Sequence, residues 1–474
     1  MNSLVIHNSI IETIGTIADK ENLSTYVVGG FVRDFIMKKK TNDIDILVVG
    51  DGIEFAKKVA LHFNKKNLVI YEKFQTAILQ LDECKVEFVG SRKEKYNKDS
   101  RNPVVESGSV EDDISRRDFT VNSIAISINK NSFGQVLDIF NGINDIENKI
   151  LKTPINPQIT FDDDPLRMLR AIRFAGQLNF EIEEKTFLAI CEMKDRIKIV
   201  SQERITEEFF KILKTQKPSI GLKLLLMTNI LDIIFPELYQ LIGQEEKNSF
   251  NHKDVFFHTL KVVDNVAEKS ENIWLRFAAL MHDIAKPRTK AFDEKIGWTF
   301  YGHEEVGARI QKYIFKKLRL PNEALHYVEK LVRLHLRPMT LVKETVTDSA
   351  IRRLLFESGN DIDDLMILCR ADITSQNPEK INQYMSNYDI VLKRIQEVEE
   401  RDKLRAWRPP LMGNEIMSIC NISQGKLVGV LKKQIEDAIL DGRIKNTHDG
   451  ALNFLLEIKD EILSTYQEMK LLNN

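Results

Sequence analysis

Hydrophobic positions along the chain repeat with two periods. In the first third they form short, strand-like runs: "TYVVGG" (25–30), "DIDILVVG" (43–50), "NLVIYEK" (67–73), "QTAILQL" (75–81), "KVEFVG" (85–90) and "SIAISIN" (123–129). Short helical patterns separate some of them, beginning with "MNSLVIHNSIIETIGTIADK". From about Asp162 the period becomes helical: "PLRMLRAIRFAGQL" (165–178), "EEKTFLAICEMKDRI" (183–197), "RITEEFFKILK" (204–214) and "IGLKLLLMTNILDII" (220–234). The remainder reads as helices broken at Pro287, Pro321, Pro338 and Pro409–Pro410. The polar stretch "RKEKYNKDSRNPVVESGSVEDD" (92–113) lacks a period and reads as a long mobile loop, a length usually tied to function. The pattern predicts an α+β chain: a small mixed β-sheet domain over 1–150, a helical region over 151–245, a helical module over 246–380 and a helical tail over 381–474.

Length and composition support this division without deciding chemistry. At roughly 100–200 residues per domain, 474 residues make three or four domains. The 43% hydrophobic and 29% charged residues suffice for a buried core, and a net charge of −2 neither marks nor excludes a nucleic-acid partner. Four dispersed cysteines (Cys84, Cys191, Cys369, Cys420) form no CxxC and read as reduced thiols of a cytoplasmic protein. Neither a signal peptide nor an apolar run long enough to span a membrane is expected.

The first candidate site lies in two successive elements. Asp43 and Asp45 flank Ile44 in a strand-like run, so both carboxylates face one side, about 7 Å apart by strand rise. Such a pair can share hard cations, Mg²⁺ above all, together with substrate phosphates. Gly29–Gly30 stands where a strand turns into a helix, and backbone N–H groups there suit a triphosphate. Arg33 lies one turn further on. Glu87, in "KVEFVG", is a candidate third acid. Asp164 and Arg167, three apart, read as neighbours on one helix face, with Arg170 and Arg173 continuing at the same step.

"GGFVRD" followed by "DIDIL" resembles the class II nucleotidyltransferases, which comprise CCA-adding enzymes and bacterial poly(A) polymerases. "RRDFTVNS" (116–123) is similar to that family's second motif, with Ser123 for its usual Ala. "LDIFNGINDIENKIL" (137–151) resembles its hinge stretch, with Ile146 for Leu. "DDPLRMLRAIRFA" (163–175) resembles its EDxxR motif, with Asp163 for Glu. The resemblance implies that 1–150 is a nucleotidyltransferase head and that 151–245 is a neck and RNA-binding region. It implies catalytic, Mg²⁺-binding Asp43 and Asp45, and nucleotide contacts from Gly29, Gly30, Arg33, Arg116, Arg117, Asp164, Arg167, Arg170 and Arg173. It further implies that Asp164 and Arg167 select the incoming base, and that tRNA, CTP and ATP are the substrates.

A second candidate site follows. Six of nine histidines fall between His252 and His335, and His282–Asp283 interrupts the apolar run "WLRFAALMHDIAK". Buried adjacent His and Asp are costly unless paired or metal-bound. The stretch resembles the HD phosphohydrolases, whose ligands correspond to His258, His282, Asp283 and Asp372. His303 and His335 stand where some of them bind a second divalent metal. In the tail, "RPPLMGNEIMSICNISQGKLVGVLKKQIEDAILDGRIKN" (408–446) resembles HD-bearing CCA-adding enzymes, and Lys426, Lys432, Lys433, Arg443 and Lys445 are candidate phosphate contacts.

The expected function is CCA addition to tRNA 3′ ends without a nucleic-acid template. Three rivals are a poly(A) polymerase, an A-only tRNA nucleotidyltransferase, and an HD phosphohydrolase carrying an RNA-binding N-terminal module. "YEKFQTAILQL" (71–81) lacks the paired arginines that poly(A) polymerases carry there. The length of 92–113 departs from CC-adding forms, which are short between the first two motifs.

Overall fold

The computed structural model of the protein describes residues 3–72, 75–97, 100–248, 251–295, 297–343, 347–375, 377–402 and 410–472. Pro409 and two residues of the 71–81 stretch, Lys73 and Phe74, lie outside them. The chain divides into two compact units, Met1–Tyr239 and Gln240–Asn474.

The first unit opens with helix α1 (Ser9–Lys20). Asn8 Oδ1 accepts from the N–H groups of Ile10 and Ile11, and Ile11, Ile14 and Ala18 are buried at helical spacing. Next come β1 (Thr25–Val28), α2 (Gly29–Ile36), β2 (Asp43–Val48), α3 (Gly52–His62), β3 (Leu68–Tyr71), β4 (Thr76–Gln80) and β5 (Lys85–Gly90). The strands β6 (Arg92–Asn97) and β7 (Ser100–Ser107), helix α4 (Val110–Ser115), and strands β8 (Ala125–Ser127) and β9 (Val136–Leu137) follow. Seven strands form one mixed sheet in the order β3-β4-β5-β2-β1-β8-β9. β2 is central, antiparallel to β1 and parallel to β5. On β2, Ile44, Ile46 and Val48 are buried on one face, while Asp43 is exposed and Asp45 half-buried on the other. Period-two alternation thus carries two carboxylates out of an otherwise apolar strand.

The stretch 92–113 differs from the loop expected. β6 and β7 pair antiparallel from Arg92↔Ser107 to Asn97↔Ser100. α4 then begins with a capping box between Ser109 and Asp112. Polar composition misled here, because a two-stranded ribbon needs no buried face to be hydrogen-bonded.

The rest of the first unit is helical. α5 (Gly142–Asn148) leads through β10 (Ile150–Leu151) to α6 (Pro157–Asp163) and α7 (Leu166–Leu178). After β11 (Glu181–Ile182) come α8 (Glu184–Met193) and α9 (Gln202–Leu213). Gly142 lies so close to the motif before β8 that a Cβ there would stand 2.2 Å from the Thr120 carbonyl oxygen.

The second unit is mostly helical but carries two hairpins that the helical pattern did not predict, Glu245–Asn248 with Asn251–Asp254 and Ala291–Asp293 with Gly297–Thr299. Helices Val255–Ala267, Ile273–Met281, His303–Lys317, Leu325–Leu334 and Ile362–Ala371 surround a histidine cluster. The tail helices Gly413–Cys420, Lys426–Leu440 and His448–Leu472 share their own core around Leu431, Ile435 and Leu455. Among the described residues no helix is long and apolar enough to cross a membrane.

Candidate active site

The turn from β1 into α2 brings backbone against the β2 carboxylates. Gly29 has φ +70°, and a Cβ there would lie 2.8 Å from Asp45 Oδ2 and 3.0 Å from an Arg117 guanidinium nitrogen. Only glycine fits this turn without displacing the carboxylate. In the parallel β2–β5 pair, Glu87 stands in register with Asp45 and Lys85 with Asp43. Three acids therefore share one patch of sheet. Burial raises the Asp45 carboxyl to about 6; Glu87 and Asp43 add to the rise, and Arg117 opposes it. A patch that holds a proton this tightly is one that favours a cation. Asp43 and Asp45 supply two oxygen ligands, which suits a hard divalent ion that keeps waters and takes substrate phosphates for the rest.

Beside these carboxylates is a cleft of about 460 Å³, within the usual size of small-ligand sites. It is lined by Gly29, Gly30, Asp45 and seven arginines (Arg33, Arg116, Arg117, Arg167, Arg170, Arg173, Arg204) against three aspartates (Asp45, Asp118, Asp164). The excess positive charge suits a triphosphate. All the arginines expected from the sequence line it, and Arg204 joins them.

The arginines are held by partners that sequence spacing did not reveal. Asp113, fully buried, pairs with Arg116 and with Arg117, the latter at 2.9 Å. Asp118 is also buried: Oδ1 accepts from the Phe119 N–H (2.9 Å) and Asn122 Nδ2 (3.0 Å), and Oδ2 from both Arg170 Nε (2.8 Å) and a terminal nitrogen (2.6 Å). Burial would push this carboxyl up, but Arg170 and Asn122 outweigh it and hold it at about 2. Asn122 Oδ1 in turn accepts from Arg33 at 2.8 Å. Arg173 pairs with buried Glu208 of α9 at 2.8 Å. The Phe174 ring lies among three guanidiniums, at 5.2 Å from Arg33, 5.4 Å from Arg170 and 4.1 Å from Arg173, and meets Phe119 edge-on at 5.9 Å.

Asp164 and Arg167 do not share a helix face. Asp164 is extended (φ −141°, ψ 100°) in the break between α6 and α7. Pro165 causes this, since its ring disfavours helical backbone in the preceding residue. Asp164 Oδ1 accepts from the Leu166 N–H (3.1 Å), and Oδ2 pairs with Arg204 of α9 (3.0 Å). Arg167 is buried and donates to the carbonyls of Arg116 (2.6 Å) and Thr160 (3.5 Å). Both residues still line the cleft.

In the second unit, His282 and Asp283 stand at the C-terminal end of helix Ile273–Met281, in the turn that follows it. The four expected ligands come together: His258 Nε2 lies 2.8 Å from Asp372 Oδ1 and 3.7 Å from Asp283 Oδ2, and His282 Nε2 lies 3.5 Å from Asp372 Oδ1. His258, His282 and Asp372 offer atoms within 4.8 Å of one another, and Asp283, His303 and His335 do the same. Asp283 links the groups, 3.1 Å from His282 Nε2 through Oδ2 and 3.3 Å from His303 Nε2 through Oδ1. Each outer ring nitrogen has a partner: His282, His303 and His335 Nδ1 donate to the carbonyls of Ala279 (2.7 Å), Phe300 (2.8 Å) and Val332 (2.6 Å), and His258 Nδ1 meets Thr374 Oγ1 (2.7 Å). A carbonyl can only accept, so these three rings carry a proton on the outer Nδ1 and turn Nε2 inward, the orientation of metal-ligating histidines. His282 Nε2 and Asp283 Oδ2 are buried without an aligned hydrogen bond. Burial lowers the His282 imidazole, but Asp283 and Asp372 outweigh it and raise it to about 10. The cluster calls for positive charge, and its residues fit a divalent metal.

Three family models match in chain order: a poly(A) polymerase head domain over 25–152, a "probable RNA and SrmB-binding site of polymerase A" over 179–241, and an HD domain over 255–377. The multifunctional CCA protein of Shewanella frigidimarina is 30% identical over 377 residues, covering 74% of this chain and 84% of that protein. The chain belongs to the CCA-adding tRNA nucleotidyltransferase family. Within the family, similarity extends to proteins of narrower name. The A-adding tRNA nucleotidyltransferase of Aquifex aeolicus is 40% identical over 164 residues, 35% of this chain but only 20% of that protein. The fold agrees with a crystal structure of a tRNA nucleotidyltransferase complexed with a primer tRNA and an incoming ATP analog, at 24% identity and a TM-score of 0.59 over 81% of this chain and 99% of that one.

Proposed function

We propose that this member of the tRNA nucleotidyltransferases is a cytoplasmic enzyme that adds C, C and A to tRNA 3′ ends from CTP and ATP, releasing pyrophosphate. The observation that carries this is the Asp43–Asp45 pair beside an arginine-lined cleft of triphosphate size. Residues 1–150 act as the catalytic head, 151–245 as the neck, 246–380 as the HD domain and 381–474 as the tail. In the reaction the RNA 3′ hydroxyl oxygen bonds to the α-phosphorus and gives up its proton to solvent, and the bond to the bridging oxygen of pyrophosphate breaks. Asp43 and Asp45, with Glu87 beside them, would hold Mg²⁺, which would supply charge stabilisation at the reacting oxygens. The chain's own groups orient. Gly29 and Gly30 admit the phosphates, Arg33, Arg116 and Arg117 offset their charge, and Asp118 keeps Arg170 from swinging.

Arg167 and Asp164 read the base edge. A wrong base fails to make these hydrogen bonds, at about 1–3 kcal/mol for each one lost, or roughly tenfold per bond. Arg167→Ala and Asp164→Ala are therefore expected to relax the choice of CTP and ATP over GTP and UTP by about tenfold each. Arg204→Ala is expected to do the same as Asp164→Ala, while Arg173→Ala mainly slows addition. Incorporation of each triphosphate alone onto tRNA shortened by three residues or by one checks this. Full preference for C and then A in Arg167→Ala would place selection elsewhere.

The HD cluster is a divalent-metal centre that hydrolyses phosphoesters. His282→Ala and Asp283→Ala are expected to lose most of the metal bound in the second unit, measured by elemental analysis after dialysis, together with any phosphoesterase activity. Unchanged metal content in both variants would refute a metal centre here.

A further inference from the structure

The sheet of the first unit has two faces, and strand register assigns each side chain to one of them. α3 packs on the apolar face, where Phe55 meets Phe88 of β5 edge-on at 5.9 Å. On the other face, paired positions run outward from β2. Asp45 stands beside Glu87, Glu87 beside Ile78 of β4, and Ile78 beside Val69 of β3. The flanking rows of the same face hold Asp43, Lys85 and Gln80 to one side, and Val89, Thr76 and Tyr71 to the other. α4 covers this face over β1, β2 and β8, where Val110 and Ile114 pack on Val28, Leu47 and Ala125. Over β3–β5 the face is open: Val69 is 49% and Tyr71 46% exposed, and Ile78, Lys85, Glu87 and Val89 are half-buried.

The two sides of the carboxylates therefore differ. The arginine-lined cleft lies toward β1: Gly29, Gly30 and Arg33 line it with Asp45, and no described residue of β3, β4 or β5 does. The floor toward β3 is apolar and aromatic, with Lys85 in its β5 strand. In phosphoryl transfer the attacking and leaving oxygens lie roughly in line across the phosphorus. With the triphosphate in the cleft, the attacking 3′ hydroxyl comes from the β5 side, and the nucleotides that precede it lie over this floor. Three strand spacings, about 14 Å, separate Asp45 from Val69. That is the length of about four nucleotides stacked at roughly 3.4 Å each, and of fewer when extended. An aromatic ring takes any base by stacking, and a lysine takes a backbone phosphate. We infer that the β5–β4–β3 floor holds the last nucleotides of the acceptor RNA. Tyr71 stacks on a base ahead of the terminal one, Val69 and Ile78 carry the sugars and bases between, and Lys85 meets a phosphate. The inference rests on the reading of Asp43 and Asp45 as the carboxylates at the reacting oxygens.

The test uses the whole chain and tRNA lacking its terminal A, with a photoreactive thiopyrimidine in place of its last or second-last residue. After irradiation the joined residue is identified by mass spectrometry. The expected join is to Val69, Tyr71, Ile78 or Lys85. A join only to α7, or only to the second unit, would overturn the inference. Affinity gives a second reading. The unaltered protein is expected to bind tRNA ending in CC more tightly than tRNA cut back by three residues. Tyr71→Ala is expected to reduce that gain by about tenfold, as the loss of one base stack does, and Tyr71→Phe to restore it. Lys85→Gln is expected to lower the slope of log affinity against log salt by about one. An undiminished gain in Tyr71→Ala would overturn the inference. If the same variant also changed the sedimentation of the free protein, the floor would join copies of this chain instead. Crosslinking needs no chemistry at Asp43 and Asp45, so the two readings fail separately. A join at the floor without nucleotide addition keeps the floor and removes the carboxylate reading. Addition without a join at the floor removes the floor alone.

Discussion

Asp45→Ala and Asp43→Ala are each expected to lower nucleotide addition by about 1,000-fold or more, with tRNA binding retained. In the proposed reaction the two carboxylates of β2 hold the metal, with Asp45 lining the cleft and Asp43 two residues before it on the same strand, and metal stabilisation of charge in the transition state is worth several kcal/mol, at about tenfold per 1.4 kcal/mol. Asp45 carries the larger share, because it stands in register with Glu87 and against the Gly29 turn. Glu87→Gln is expected to cost less than either. Single-turnover addition to a labelled tRNA, with binding measured separately by filter retention, checks the prediction. More than a tenth of normal activity in either aspartate variant would remove the pair from the chemistry.

Asp118 is expected to be among the most costly residues for the stability of the first unit. Its carboxylate is buried and satisfies Arg170, Asn122 and the Phe119 N–H. Asp118→Ala leaves Arg170 without its counter-charge, and breaking a buried pair costs about 3–5 kcal/mol. The same contacts set a pH dependence. The folded carboxyl is held at about 2, below its ordinary 3.8. The stability it contributes is therefore complete above the unfolded value and drains away as pH falls from about 4 toward 2, by about 2 kcal/mol. Hydrogen exchange of the α7 amides, compared between the two proteins from pH 5 to pH 2.5, reads both effects. Asp118→Asn is expected to flatten the acid slope while keeping part of the neutral stability. An unchanged slope in that variant would show that Asp118 does not titrate as its surroundings require.

Much of the head was legible because its signals are local. Period-two alternation in 43–48 placed both aspartates on one face, and the glycine pair marked the β1–α2 turn. Position 87 could be named as an acid but not set beside Asp45, because parallel strand register depends on the β2–β5 pairing and not on either strand alone. Asp164 was misplaced although its signal was present: Pro165 forbids continuing a helix through it. The partners of the arginine stripe were not legible. Arg204 reaches Asp164 across 40 positions, and Arg170 reaches Asp118 across 52, contacts that only the packed helices create. In the second unit, composition and resemblance pointed to the histidines. Their convergence on Asp283 depends on ring orientations set by carbonyl bonds from three residues back in the chain, which no spacing records.

One measurement bears most directly on the central claim. Purified protein is incubated with tRNA lacking its three terminal residues and with labelled CTP, ATP or both, and the products are resolved at single-nucleotide resolution. The account predicts two additions with CTP alone, three with both triphosphates and then a stop, and no addition with ATP alone until the two cytidines are present. Runs of adenosine, a halt after two cytidines with ATP available, or addition of A alone to tRNA already ending in CC with no use of CTP would each contradict it.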